Sequence, residues 1–322
     1  MGPMNGTPGS GRATTAMAML ATASFFLGGA MVTAKIAVAD VPPMTVAASR
    51  FALATLLLLA LRRLVPALGG GITRPAMGDV PILLGLGLTA AAGYNILLLT
   101  GVQLAPASDA AMIGPAVGPI VSTTLAAIFL NDRPQRIAII GLGIGLAGVL
   151  LVVSPEGALD GRRLVGDLIF VAAGALWGSY LVVSRVAARR FPPIDIALYG
   201  SAVATVILVP LALAEGGPAH LARAGLASLL AIGHLAALAT VTAFVLLNEG
   251  LRRLGVSRSA SLTLMIPVFG VVQAMLILGE PLGSSALAGA ALVLAGLWLG
   301  QGGRLPAWPL RPARARPAIQ PA

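Results

Sequence analysis

Residues 119–132 read PIVSTTLAAIFLND, and residues 267–280 read PVFGVVQAMLILGE. Each stretch begins with a proline, continues through an apolar run of about three helical turns, and ends in an acid. The two starting prolines differ by 148 positions (267 against 119). Other residues recur at this spacing: Ala126 with Ala274, Gly141 with Gly289, Ala147 with Ala295 and Gly148 with Gly296. The pattern indicates that the chain contains one structural unit twice.

A second set of matches lies upstream, where the spacing is 150 positions. It consists of Gly28 with Gly178, Lys35 with Arg185, Ala37 with Ala187, and Pro42-Pro43 with Pro192-Pro193. If each unit contains an odd number of membrane spans, the second copy is inverted relative to the first. Inverted repeats are the arrangement that many alternating-access transporters use.

The composition places the chain in a membrane. Of the 322 residues, 57% are hydrophobic and only 10% are charged, whereas charged residues make up roughly a quarter of a soluble domain. The mean hydropathy is +0.95. The apolar stretches are about 20 residues long, the length of a transmembrane helix, and they lack the alternation of a barrel strand. The sequence therefore predicts an all-α integral membrane protein.

Prolines and glycines divide the apolar sequence into ten predicted transmembrane helices, five per repeat. These spans, numbered 1 to 10 in order, cover residues 14–38, 43–64, 79–103, 108–130, 135–153, 165–188, 194–214, 224–251, 258–278 and 283–303. The predicted organisation is a tail (1–13), a first repeat (14–153), an outer linker (154–164), a second repeat (165–303) and a basic, proline-rich tail (304–322).

The distribution of arginine predicts the orientation. With ten spans and a cytoplasmic N-terminus, one side receives sixteen arginines and the other only Arg162, Arg163 and Arg223. Positive residues accumulate in cytoplasmic loops, so both termini are expected in the cytoplasm of a bacterium, with the protein in the inner membrane. On this basis Asp132 faces the cytoplasm and its repeat partner Glu280 faces outward.

Several function classes are disfavoured by the residues present. The chain has no cysteine and only two histidines, which excludes thiolate chemistry and argues against a metal site. The net charge of +10 belongs to membrane loops and a basic tail, so nucleic acid is not an expected partner. Glycines 141, 143, 145 and 148 lie inside an apolar span without a preceding strand, which disfavours a nucleotide-binding loop. No cofactor is predicted.

Charged residues within predicted spans are functional hypotheses. Lys35 and its repeat partner Arg185 lie near span ends, and either cavity roles or interfacial anchoring fits them. Arg50 is deeper, roughly 10 Å from the outer boundary at 1.5 Å per residue, and needs a compensating group. Asp109 and Glu249 lie near span ends, so coupling to a proton and uncoupled exchange both stay open.

Aromatic and amide side chains supply further cavity candidates. Trp177 and Tyr180 share one face of span 6 with Ser184, because their spacing is i, i+3 and i+7. The matching face of span 1 carries small residues, including Ala30 and Ala34, which predicts one aromatic and one small cavity wall. The remaining candidates are Tyr94, Asn95, Asn248 and Gln273, for which cavity lining and interhelical hydrogen bonding are both open.

Pro119 and Pro267 are predicted to interrupt spans 4 and 9 at equivalent positions, because proline removes a helical hydrogen bond. Paired helix breaks in the two halves of a carrier point to a hinge or a transport site.

Each half resembles the EamA domain of the drug/metabolite transporter superfamily. The resemblance rests on these segments: Phe26–Ile36 with Lys35, Pro43–Phe51 with Arg50, the proline-containing run that ends in Asn131-Asp132, Leu176-Trp177-Gly178, and Pro267 to Gly279-Glu280-Pro281. The chain departs from the family pattern at Asn131-Asp132 (for Gly-Glu), at Arg185 (for lysine) and at Gly200 (for arginine). The resemblance implies a ten-helix secondary carrier whose central cavity lies between helices 1–4 and 6–9.

The resulting prediction is an alternating-access carrier, not an enzyme, that exports small metabolites such as amino acids or related compounds. Its expected partners are a small-molecule substrate and the lipid bilayer; the oligomeric state is open. An intramembrane enzyme is the first alternative, and it would require His234, the only deep histidine, to meet a serine and an acid. A non-transporting sensor is the second, and it would require a large ligand-binding appendage.

Overall fold

The computed structural model describes residues 10–64, 73–101, 104, 107–132, 134–152, 161–263, 265–278 and 284–300, and within these ranges its regular structure is helical. The first half contains α1 (Ser10–Ala37), α2 (Pro43–Leu64), α3 (Val80–Leu86), α4 (Tyr94–Gly101), α5 (Ala107–Phe129) and α6 (Arg136–Val152). The second half contains α7 (Gly161–Ala187), α8 (Pro193–Ala214), α9 (Gly217–Arg223), α10 (Leu226–Ala236), α11 (Ala243–Leu254), α12 (Val256–Thr263), α13 (Met265–Leu278) and α14 (Ser284–Gly300). Glu280, residues 1–9, most of the outer linker and the C-terminal tail lie outside the described residues.

Within the described residues, six helical segments are long and apolar enough to cross a membrane, so the chain is a multi-pass membrane protein. They are Ala13–Ala37, Pro43–Leu64, Met77–Leu98, Leu164–Ala187, Pro193–Ala214 and Leu226–Leu254. Three shorter apolar segments are Val117–Phe129, Arg136–Gly148 and Met265–Ile277. Some bounds differ from the prediction: α1 begins inside the predicted tail and α7 inside the predicted linker, and α9 is an additional short helix.

The helix pair α2 and α8 contains repeat-equivalent helices that touch in antiparallel orientation. Thr55 and Thr205, which are equivalent at the spacing of 150, lie 3.4 Å apart between their hydroxyl oxygens. Toward one end, the backbone N–H of Thr45 at the start of α2 donates to Glu215 at the end of α8 (2.9 Å). The other end brings together the C-terminal turn of α2 and the first turn of α8. The two helices therefore run in opposite directions about a point near Thr55.

That second end is closed by a buried ion pair. Arg62 Nε lies 2.6 Å from Asp195 Oδ1, and both side chains are fully excluded from solvent. The same carboxylate accepts a hydrogen bond from the backbone N–H of Thr73 (3.1 Å). The sequence predicts Arg62 as one of the cytoplasmic loop arginines. In the structure it is a buried residue of α2 whose carboxylate partner on α8 also binds the segment before α3.

The same close packing occurs twice, each time between a helix of one half and a helix of the other. A Cβ added to Gly28 of α1 would lie 2.5 Å from the carbonyl oxygen of Ile266 and 2.7 Å from the backbone nitrogen of Gly270. At Gly178 of α7, the corresponding atoms belong to Gly118 and Ser122 of α5. These pairs match at the spacings read from the sequence, so glycine at both positions permits backbone contact between helices.

Each half also contains a π-helical segment in its third predicted span. Gly87–Gly93 lies between α3 and α4, and Ala237–Thr242 lies between α10 and α11, so their starts differ by 150 positions. The wide turn is supported by threonine: the hydroxyl of Thr242 donates to the carbonyl of Ala237, five residues back (2.9 Å). Spans 3 and 8 were predicted as uninterrupted helices. The structure replaces the centre of each with a rare geometry that is frequent at functional sites.

The predicted proline breaks take a different form. Helix α5 continues through Pro119 as a single helix, so the predicted interruption is absent there. Pro267 is the third residue of α13, where a missing N–H is tolerated because first-turn N–H groups have no intrahelical partner.

Candidate functional site

A buried hydrogen-bond network links α7 to α11. The hydroxyl of Tyr180 donates to Asn248 Oδ1 (3.0 Å), and the hydroxyl of Ser184 donates to the same oxygen. Tyr180 and Ser184 are four residues apart, so both reach one partner from the same helix face. All three side chains are buried, and Asn248 Nδ2 has no hydrogen-bond partner in the described part of the chain.

Removal of one donor tests how much this network contributes to the stability of the protein. We expect Ser184→Ala to lower the free energy of unfolding by about 1 kcal/mol, because a neutral buried hydrogen bond contributes about that amount. Ser179→Ala is the control, since the Ser179 hydroxyl bonds only to the carbonyl of its own helix at Ala175. Denaturing-detergent titration of both variants measures the difference; equal stabilities would contradict the expected role of Ser184.

Tyr180 of this network also belongs to an aromatic cluster. The rings of Trp177 and Tyr180 stack with centroids 5.7 Å apart and an interplanar angle of 25°. Tyr94 from α4 lies 5.9 Å from Trp177 between ring centroids, and Phe244 from α11 lies 5.6 Å from Tyr180. Four helical residues from three elements therefore form one aromatic wall, with Tyr94 and Trp177 only partly buried.

Arg50 extends from α2 to the second π-helical segment. Its Nε donates to the hydroxyl of Thr240 (2.6 Å), and its Nη2 donates to the carbonyl of Ala239 (3.4 Å). The guanidinium carbon also lies 5.1 Å from the ring centroid of Phe51. Both hydrogen-bond acceptors are uncharged, so the cation is solvated by backbone and hydroxyl oxygens rather than by an acid.

The Arg50 guanidinium lies near the aromatic wall. Tyr94, which packs on Trp177, is within electrostatic range of Arg50. His234 of α10 is also within electrostatic range of Arg50, and its Nδ1 is buried without a hydrogen-bond partner among the residues described. The structure thus brings Arg50, Tyr94, Trp177, Tyr180 and Asn248 together across α2, α4, α7 and α11.

Two other cavity candidates lie in interhelical or local contacts instead. Gln273 Nε2 donates to the carbonyl of Phe25 (2.9 Å), which links α13 to α1. Asn95 donates to the carbonyl of Ala91 in the preceding turn of its own chain. On the small-residue face of span 1, Ala30 and Ala34 pack with apolar residues of α10.

The charged candidates lie at helix ends. Arg185 donates to the carbonyl of Leu251 (2.9 Å) and to that of Arg252, so it caps the C-terminus of α11, where a cation is favourable. Glu249 pairs with Arg252 (2.7 Å) and with Arg253. Lys35 is exposed in the last turn of α1. Asp109 lies in the first turn of α5, and its side chain is outside the described residues.

Two further acids, Asp40 and Asp132, serve helix ends as well. Asp40 accepts hydrogen bonds from Ser228 (2.7 Å) and from the N–H of Gly225 before α10. Asp132 accepts from the N–H of Val256 at the start of α12 (2.9 Å). Such contacts satisfy helix N-terminal N–H groups. No carboxylate pairs with Arg50 in the described part of the chain.

Sequence reasoning missed two members of this site, Thr240 and Phe244. At the spacing of 150, the repeat counterpart of Phe244 is Tyr94, so the duplication itself marked position 244 as a second aromatic candidate. Thr240 lies in an apolar run, and a π-helical turn has no sequence signature comparable to proline or glycine. The available signal was the presence of Thr240 and Thr242 within one turn of an otherwise apolar segment.

The arrangement offers hydrogen-bond donors and aromatic surface but supplies few groups for covalent catalysis. Among the residues that the structure describes, no three His, Cys, Asp or Glu side chains converge on a metal position. In secondary transporters the substrate sites lie at the interface between the repeats, and the cation and aromatic rings described here come from both halves.

The chain belongs to the EamA-like transporter family, whose profile matches residues 14–154 and 164–300. It is 29% identical to a protein named probable terminal-alkyne amino-acid exporter from Streptantibioticus cattleyicolor, over 71% of this chain and 75% of that protein. It is 25% identical to a probable amino-acid metabolite efflux pump from Salmonella typhimurium, over 82% of this chain and 87% of that one. A crystal structure with 21% identity shares the fold, with a TM-score of 0.70, covering 88% of this chain and 95% of the other.

Proposed function

We propose that this protein is a secondary exporter of small metabolites, such as amino acids or related compounds, and that it works by alternating access. In this proposal ten transmembrane helices form two inverted five-helix repeats in a bacterial inner membrane, with both termini in the cytoplasm. Family membership supports transport as the activity, and the named relatives support export of amino-acid metabolites.

One structural observation carries the mechanism. The equivalent helices α2 and α8 touch in antiparallel orientation, with Thr55 against Thr205. Two similar halves related in this way can exchange conformations, so that an arrangement open to one side becomes its counterpart open to the other. The close packing of Gly28 against α13 and of Gly178 against α5 joins a helix of one half to a helix of the other in the same way twice, which supports a twofold relation between the halves.

The site residues support a substrate with an anionic or polar group and an apolar part. Arg50 offers guanidinium donors, and Tyr94 with Trp177 offers partly buried aromatic surface. The alternative of an intramembrane enzyme is weakened, because His234 makes no hydrogen bond to a serine or an acid in the described residues. The sensor alternative gains no support from the named relatives, which are transporters.

Flux through proteoliposomes tests the proposal. We expect purified full-length protein to accelerate efflux of at least one radiolabelled L-amino acid or related metabolite above protein-free vesicles. Trp177→Ala should reduce that flux at least tenfold, since removal of a stacked aromatic side chain loses about 1–3 kcal/mol of contact. Trp298→Ala is the matched control, because Trp298 is 44% exposed on α14 and should leave flux unchanged. Absence of flux for the whole metabolite panel, with and without a pH gradient, would overturn the proposal.

A further inference from the structure

The contact between Arg50 and the segment Ala237–Thr242 joins a cation to the least regular part of span 8. A π-helical turn contains one more residue than an α-helical turn, and its backbone hydrogen bonds are displaced by one position. Here Thr240 bonds to the carbonyl of Leu235 (2.9 Å) while it accepts from Arg50 (2.6 Å). Arg50 therefore binds both the side chain and, through Ala239, the backbone of this turn.

The equivalent position in the other half has no cation. Gly200 of α8 corresponds to Arg50, and it packs directly on the turn that precedes the first π-helical segment, with a built Cβ 3.6 Å from Leu86 Cβ. At this equivalent position, the turn before the first segment meets a glycine and the second segment meets a charged side chain. The two halves share a backbone plan, but only one offers an anion-binding group at this place.

We propose that Arg50 binds the carboxylate of the substrate and that this binding releases the segment Ala237–Thr242. The proposal rests on the proposed transport function and specifies the chemical class of the substrate as an organic carboxylate with an apolar part. The N–H groups of Arg50 that now donate to Thr240 and Ala239 donate to the carboxylate instead. Occupancy of the site and the geometry of span 8 are then coupled through one side chain.

The energetics favour that exchange. Hydrogen bonds from arginine to a carboxylate are charge-assisted, can be bidentate and are roughly twice as strong as those to neutral acceptors. A guanidinium has five N–H donors in a fixed fork, and the acceptors it meets here are neutral. In addition, a cation in a membrane interior is costly without an opposite charge. An incoming carboxylate is therefore a better partner than a hydroxyl and a carbonyl.

The position of Arg50 suits a substrate site. It lies five residues before Thr55 on α2, so it is about 7.5 Å along the helix from the point where the two halves meet. Tyr94 and Trp177 provide the adjoining aromatic surface for the apolar part of the ligand. The site is therefore close to the axis between the halves, where a small rearrangement of span 8 affects access to it.

The proposal predicts opposite effects for two substitutions in the same contact. Arg50→Gln should weaken carboxylate binding at least tenfold, because it removes the charge. Thr240→Val should strengthen binding about tenfold, because it removes a competing acceptor and increases the fraction of protein with an available guanidinium. A purely structural role for the contact predicts that both variants bind more weakly.

The experiment uses full-length protein in lipid nanodiscs, with Trp298→Phe and Trp308→Phe in the background so that Trp177 fluorescence reports binding. The probes are matched pairs of a carboxylate and its amide: L-leucine with L-leucinamide, and L-phenylalanine with L-phenylalaninamide. We expect the acids to bind and the amides to bind at least tenfold more weakly. Arg63→Gln is the matched control, because Arg63 is an exposed arginine on the same helix, and Arg50→Lys should restore part of the affinity.

Hydrogen exchange in the peptide covering Ala237–Thr242 tests the release. Carboxylate should increase exchange there in the wild type, and Arg50→Gln should show the increase without ligand. Equal binding of acids and amides, the same sign for Arg50→Gln and Thr240→Val, or unchanged exchange would overturn the inference. Metabolite flux without preference for carboxylates would overturn it while leaving the proposed function intact.

Discussion

Asp195→Asn is expected to lower the free energy of unfolding by about 3–5 kcal/mol, because it leaves the buried Arg62 guanidinium without its anion. Both side chains of this pair are fully excluded from solvent, with 2.6 Å between Arg62 Nε and Asp195 Oδ1. The carboxylate also accepts from the backbone N–H of Thr73, so the substitution weakens the attachment of the segment before α3. Denaturing-detergent titration in mixed micelles measures the change.

A double variant separates loss of charge balance from loss of packing. Arg62→Met with Asp195→Leu should recover much of the stability, since apolar residues of similar volume often replace a buried ion pair without cost. Arg63→Met is the control for substitution at the end of α2, because the Arg63 side chain is exposed. If Asp195→Asn and Arg63→Met were equally stable, the pair would contribute nothing to folding.

Gly178→Ala is expected to lower the free energy of unfolding by about 2 kcal/mol through overpacking. The added Cβ would overlap the carbonyl oxygen of Gly118 and lie 2.9 Å from Val121 Cβ. Backbone atoms of α5 cannot rotate away as a flexible side chain can, so the two helices must separate. The expected loss exceeds the roughly 1 kcal/mol that alanine gains over glycine in a helix interior.

The repeat provides an equivalent position at which the same prediction can be tested. Gly28→Ala in the other half should cost a similar amount, because its added Cβ meets Ile266 and Gly270 in the same arrangement. Gly143→Ala and Gly233→Ala are the controls, since a Cβ at either position meets no atom within 4 Å. These two should stabilise the protein slightly. Destabilisation by the controls, or unequal effects at Gly28 and Gly178, would contradict the shared packing of the halves.

The placement of Trp177, Tyr180 and Ser184 on one helix face could be derived from their spacing, because the helical period sets which side chains align. Their partner could not be derived. Asn248 and Gln273 were equivalent candidates by sequence, as amides in apolar runs. Because α11 packs on α7, Asn248 accepts a hydrogen bond from the aromatic network. Because α13 packs on α1, Gln273 donates to the α1 backbone instead.

The same limit applies to Arg50. Its depth in span 2 indicated that it needs a partner, but a carboxylate, water, a carbonyl and a substrate were all compatible with the sequence. The structure identifies Thr240 and Ala239, which lie about 190 residues away along the chain. Local threonine hydrogen bonds support the π-helical turn that holds these acceptors, but which side chain meets the turn depends on how α2 packs against it.

The membrane class, the repeated unit, the bounds of α2 and, to within one residue, those of α8 follow from the sequence, since apolar length and proline positions are local properties. The sequence also identified glycines that match between halves, because duplication preserves spacing. The tertiary structure alone decided which helices touch, that Arg62 is buried against Asp195, and that α5 passes through Pro119 without a break. Those outcomes depend on contacts between residues far apart in the chain, whose free energy is defined only once the helices have packed.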